Sequence, residues 1–248
     1  MNDAWYQPLK VTGPDGSLQE QWTWGASQLT VRATDQTVEV EGPAVDGKPP
    51  ATMRYLRAPG EELELTARTA DRSIVARPAT QLVVLAEGTA IIYVSSPLWV
   101  GIAERGTPPF AEFPTHLPKQ TWLGATPQAG QLAYASRTRA RADLNNITAE
   151  SGRMLTQVEL VNHLDEPWAI ERVEVPMPHL AIHLCEGPDG KVLWTNSVRV
   201  ERSGDTEVDA HVADGPPASA GPAQRLAEPR VPTTPRLNLL ALGRWGWL

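Results

Sequence analysis

The chain has 248 residues, a hydrophobic content of 41%, a charged content of 21% and a net charge of −7. That is enough apolar material for a real core and too acidic a balance for a general nucleic-acid binder, which needs clustered cations. One cysteine, Cys185, excludes an internal disulfide framework, and no apolar run approaches the ~18 residues of a membrane span.

In chain order, the N-terminal residues Met1 to Pro8 show no basic region followed by an apolar run, so no signal peptide is expected. Gln28 to Ala33 and Thr37 to Glu41 read as a hairpin around Thr34-Asp35-Gln36. Met53 to Arg57 and Leu63 to Arg68 follow, split by Pro59-Gly60. Leu82 to Ala86 and Ala90 to Ser95 read as a second pair around Glu87-Gly88, with Trp99 to Ala103 continuing the meander. A proline-rich crossover, Gly106 to Gly130, is unlikely ground for a central strand. Beyond it, Leu132 to Ala142, Met154 to Val161, Ala169 to Val175, Leu180 to Cys185, Lys191 to Arg202 and Glu207 to Val212 repeat the period-two pattern.

Short strands with regular turn signals and no useful helical period predict an all-β protein of antiparallel sandwich architecture. Two sandwich-like subdomains, 1–118 and 119–212, are expected. A Pro/Ala/Gly-rich linker then covers 213–236, and an apolar segment covers 237–248.

Nine tryptophans outnumber four tyrosines and two phenylalanines together. Eighteen arginines against four lysines point to a GC-rich coding bias, which also favours tryptophan and weakens a functional reading of the count. Trp22 and Trp24 share strand parity, as a sugar-stacking platform requires; core filling is the alternative. Trp245 and Trp247 stand in the apolar tail, which can dock on its own sandwich, on a protein partner or at a membrane surface. Arg137, Arg139 and Arg141 alternate, which in a strand places all three on one face, about 6.6–7 Å apart, opposite Leu132 and Tyr134. Such a row can grip phosphate or carboxylate, or pair across a sheet with Glu159 or Glu171.

His179, His183 and Cys185 share parity, and His183 with Cys185 is the nearest thing to a metal pair, with His163 or His211 as further ligands. Lacking a CxxC pair or a helical HxxxH, the chain is expected to bind no metal and no cofactor, and Cys185 to be a buried hydrophobe. GxSxG, HExxH, P-loop, GxGxxG and kinase signatures are absent from the sequence. An enzyme would have to assemble its site from distant loops, with His116, His163 and His183 as candidates.

Several short motifs point to one family. They are Tyr93-Val94-Ser95-Ser96-Pro97, Trp122-Leu123-Gly124 with Gly130-Gln131-Leu132-Ala133-Tyr134, and Val158-Glu159-Leu160-Val161-Asn162. Glu171-Arg172-Val173-Glu174-Val175-Pro176 and Leu193-Trp194-Thr195 complete the set. Over about residues 82–202 the chain thus resembles an uncharacterised prokaryotic all-β family of unknown function. The resemblance implies no catalytic residues. Members are at times encoded beside mechanosensitive channels, which implies a membrane-associated partner.

The expectation is a cytoplasmic, non-catalytic β-sandwich interaction module that binds a protein partner, membrane proteins included, through its tail. The alternative is a small-ligand or carbohydrate binder, and the third reading is an enzyme without a recognisable motif.

Overall fold

The computed structural model describes residues 8–9, 17–25, 27–43, 51–57, 61–124, 130–147, 150–187, 190–204, 208–232 and 237–238. Two compact units emerge, each built from two stretches of chain: Met1–Arg68 with Pro97–Leu117, and Thr69–Ser96 with Pro118–Leu248. Among the described residues every regular element is a strand or a short 3-10 turn, so the protein is all-β.

The first unit holds two four-stranded antiparallel sheets. One runs β1 (Pro8–Leu9), β6 (Leu63–Arg68), β10 (Trp99–Glu104), β11 (Ala111–Pro114). The other is a meander of β2 (Leu18–Trp24), β3 (Ser27–Ala33), β4 (Thr37–Glu41) and β5 (Thr52–Leu56). Alternation forms it: Leu18, Trp22 and Trp24 are buried while Gln19, Gln21 and Thr23 face out. The expected hairpin is present, closed where Thr34 N donates to Thr37 O at 2.8 Å. Met53 to Arg57 and Leu63 to Arg68 are both strand regions, but β5 joins the meander and β6 the other sheet.

Gly101, in the middle of the buried strand β10, is there for lack of space. A Cβ would come within 2.5 Å of Thr66 Oγ1 and 2.9 Å of the rigid Pro109 ring. Gly101→Ala should therefore cost about 1–3 kcal/mol by overpacking. A thermal melt checks this, and an unchanged melting temperature would show that the two neighbours yield.

The second unit centres on a large sheet. Its order is β21 (Ala223–Ala227), β17 (Ile182–Gly187), β18 (Gly190–Thr195), β14 (Arg153–Asn162), β19 (Val198–Arg202), β20 (Val208–Val212), β22 (Leu237–Asn238). Another strand, β9 (Thr89–Pro97), also pairs with β14. The stretch Lys191 to Arg202 is two strands, both parallel to β14. The break is at Asn196, whose Oδ1 accepts from Ala181 N at 2.7 Å and whose Nδ2 donates to Ala213 O at 2.6 Å. These bonds anchor the break between the two strands to the segments that carry Ala181 and Ala213.

Leu82 to Ala86 does not form a hairpin with Ala90 to Ser95, contrary to expectation. The strand β8 (Leu82–Val84) pairs instead with β15 (Trp168–Ile170). The intervening turn is held elsewhere: Glu87 N donates to Leu164 O at 3.0 Å, and Asn162 Nδ2 to Leu85 O at 3.0 Å. Ala223–Ala227, within the stretch expected to be a linker, pairs antiparallel with β17. Pro222 and Pro229 bracket it, and the six residues between them all carry a backbone N–H, which allows a short edge strand. Leu237–Asn238, the start of the apolar segment, pairs with Asp209–Ala210; 239–248 lie outside the described residues.

A third sheet, of order β12 (Lys119–Gly124), β13 (Gly130–Ala135), β7 (Ile74–Ala76), β16 (Val173–Val175), positions the site described next.

Candidate functional site

Three neighbouring segments meet at one end of this third sheet. β13 runs parallel to β7, with Ala135 opposite Val75, and β16 runs antiparallel to β7, with Val173 opposite Ala76. Just beyond these pairs the three segments carry Arg137, Arg77 and Arg172, which line one cavity.

The chain after β13 does not continue as a strand, so the expected alternating row on one face, opposite Leu132 and Tyr134, is not formed. Its backbone is fixed at Ser136, whose N donates to Val75 O at 2.8 Å, and at Ala140, whose N donates to Arg77 O at 2.9 Å. Between them Thr138 turns inward: Thr138 Oγ1 donates to Ser95 O at 2.7 Å and lies 2.9 Å from Ser136 Oγ. Local hydroxyl bonds of this kind compete with the ladder and pull the chain out of it. Arg139 and Arg137 consequently flank a half-buried threonine and are themselves exposed. Arg141 rejoins the structure through a bridge to Tyr93.

A second layer holds the bend. Arg153, 8% exposed, donates from Nε to Ser95 Oγ at 2.8 Å, and from Nη2 to Ser95 O at 2.8 Å and Thr138 Oγ1 at 3.1 Å. Burial pushes its pKa below the ordinary arginine value, and Glu150, 3.8 Å away, opposes that shift.

Two cavities open at the bend and share Arg137, Thr138 and Arg139 in their linings. The first, about 240 Å³, also has Arg77 and Arg172 in its lining and no carboxylate. The second, about 310 Å³, adds Arg141 and one acid, Glu150. Among the described residues none of these five guanidinium groups is paired with a carboxylate. Arg32, Arg54, Arg68, Arg105, Arg199, Arg202 and Arg225 all are. Glu159, an expected partner of the row, is taken by Arg199 at 3.1 Å. Like charges side by side on adjacent segments destabilise the fold, and an anion among them reverses the sign.

Residues 10–240 match the family described as Protein of unknown function (DUF432). The chain belongs to that family. The match extends well past the 82–202 stretch that carried the resemblance. Among curated proteins and solved structures, none matches this member of DUF432.

The other predicted residues of this DUF432 chain lie apart from the arginines. Trp22 and Trp24 are 5% and 4% exposed, and as core residues of the first unit they offer no ring face to a sugar. Trp245 and Trp247 lie outside the described residues. Cys185 is fully buried with Leu155, Trp194 and Ala220, and burial pushes its thiol pKa up. His163 and His211 both approach Glu201 Oε2, at 3.7 and 3.9 Å, on the exposed side of β19 and β20. His116 is in the first unit, with Nδ1 3.2 Å from Thr115 Oγ1. Among the described residues no group of three or more His, Cys, Asp or Glu is placed to hold a metal ion. Nor, among them, is any helix long and apolar enough to cross a membrane.

His183 is buried on β17, and desolvation, then the Arg225 charge, lowers its pKa against the hydrogen bond with Asn196. The folded state thus binds the proton more weakly than the unfolded chain, whose histidine titrates near ~6.5. This contribution to stability is complete above that pH and is lost as pH falls below it. His183→Gln should flatten the decline in melting temperature below about pH 6.5; superimposable pH profiles would show that His183 does not carry it.

Arg77, Arg172 and Arg153 had no local sequence signal. Each sits singly beside a strand end, and only the pairing of distant strands collects them.

Proposed function

We propose that this protein is a non-catalytic binding module for a small anionic ligand bearing phosphate or carboxylate groups. The supporting observation is the convergence of five unpaired arginines on two adjoining cavities of a chain whose net charge is −7. Guanidinium groups recognise such oxyanions through paired, charge-assisted hydrogen bonds. The support beneath them, Arg153 with Ser95 and Thr138, fixes the bend before any ligand arrives, which lowers the ordering cost of binding. Titration calorimetry with orthophosphate and with citrate at low ionic strength tests the reading. Saturable heat with either anion supports it; absence of heat with both removes it.

A protein partner is a second reading, favoured by one observation. Strand β5 is the last strand of its sheet, and its Leu56 is 87% exposed. Among the described residues no strand pairs with its outer edge, and an edge with an exposed apolar residue suits strand addition by another chain. Photo-crosslinking from position 56 in cells checks it, and the lack of any adduct would sink it.

A further inference from the structure

The two cavities are too rich in cations for one simple anion, and their shared lining suggests what fills both. Together they gather Arg77, Arg137, Arg139, Arg141 and Arg172 against one carboxylate, that of Glu150. A single phosphate group carries about −1.5 to −2 at neutral pH and leaves roughly half of that excess uncompensated. With a water's share of liquid volume at about 30 Å³, cavities of about 240 and 310 Å³ each have room for an oxyanion and several waters. Arg137 and Arg139 face both spaces, whereas Arg77 and Arg172 belong to one and Arg141 to the other.

We infer that the ligand carries two linked phosphate groups, one in each cavity, with Arg137 and Arg139, which line both, gripping the two groups together. The inference rests on the anion-binding reading above and names its ligand class: a small diphosphate. Arg77 and Arg172 hold the first phosphate and Arg141 the second. The first cavity is lined by four arginines and the second by three, so the first is the stronger half-site.

The division of arginines makes the inference testable with the full-length protein. Orthophosphate, pyrophosphate and a short single-stranded oligonucleotide are titrated at one fixed ionic strength against wild type, Arg141→Gln and Arg172→Gln. Ligand-free melting curves check that the variants are folded. Pyrophosphate should bind wild type at least about tenfold more tightly than orthophosphate. Arg141→Gln should remove most of that advantage while leaving orthophosphate affinity within about twofold, and Arg172→Gln should weaken both ligands. Equal affinity for the two phosphates in wild type would overturn the bridging inference and leave the anion site standing. Tighter binding of the oligonucleotide than of pyrophosphate would overturn it in favour of a nucleic-acid backbone. Binding of none of the three would remove the anion site itself.

Discussion

Arg139→Gln should weaken phosphate binding by about ten- to a hundredfold while leaving the fold intact. Arg139 lines both cavities, is exposed, and has no carboxylate partner among the described residues. One charge-assisted hydrogen bond is worth about 1.5–3 kcal/mol, and each ~1.4 kcal/mol is tenfold in affinity. Arg139→Lys should recover part of the loss, because the charge remains while the two-pronged geometry does not. Calorimetry at constant ionic strength measures both variants. An affinity for orthophosphate unchanged in Arg139→Gln would mean that the arginines are merely a solvated surface.

Arg153→Met should lower stability by about 2–4 kcal/mol, the range for leaving buried polar partners unsatisfied. The methionine fills much of the volume but removes the donor to Ser95 Oγ and the bond to Thr138 Oγ1, which frees the Thr138 bend. For a protein of this size that corresponds to a melting transition lower by roughly 4–16 °C. Arg153 reaches no ligand, so it acts as a positioning residue. Its loss should therefore also reduce phosphate affinity at temperatures well below the transition, which a purely structural role would not. Arg153→Lys should rescue stability only in part, since one ammonium cannot replace the Nε and Nη2 pair. Equal transition temperatures for Arg153→Met and wild type, by scanning calorimetry, would refute the account.

The arginine site was half visible in the sequence. Arg137, Arg139 and Arg141 stood out by their spacing, and an anion was the natural ligand for them. The conformation assigned to them was nevertheless wrong, because Ser136 and Thr138 bond to Ser95, some forty residues earlier in the chain. A hydroxyl's choice between solvent, its own backbone and a distant carbonyl has no signature in local pattern. The tryptophans show the reverse case. Their number suggested a stacking surface, yet Trp22, Trp24, Trp99, Trp168 and Trp194 are buried, as ordinary core rings are, and of the described tryptophans only Trp122, 41% exposed, shows a ring to solvent.

By itself, the sequence determined that the protein is all-β, and it determined the hairpin of β3 and β4. Alternation and turn chemistry act between residues a few positions apart, and such information is local. Only the tertiary structure decided that β7 lies between β13 and β16, and that Thr69–Ser96 joins the second unit while Pro97–Leu117 returns to the first. Those choices rest on backbone hydrogen bonds between segments about sixty to a hundred residues apart, which any strand can offer to any other. They bring Arg77, Arg137 and Arg172 into the lining of one cavity, and so create the charge that an anion answers.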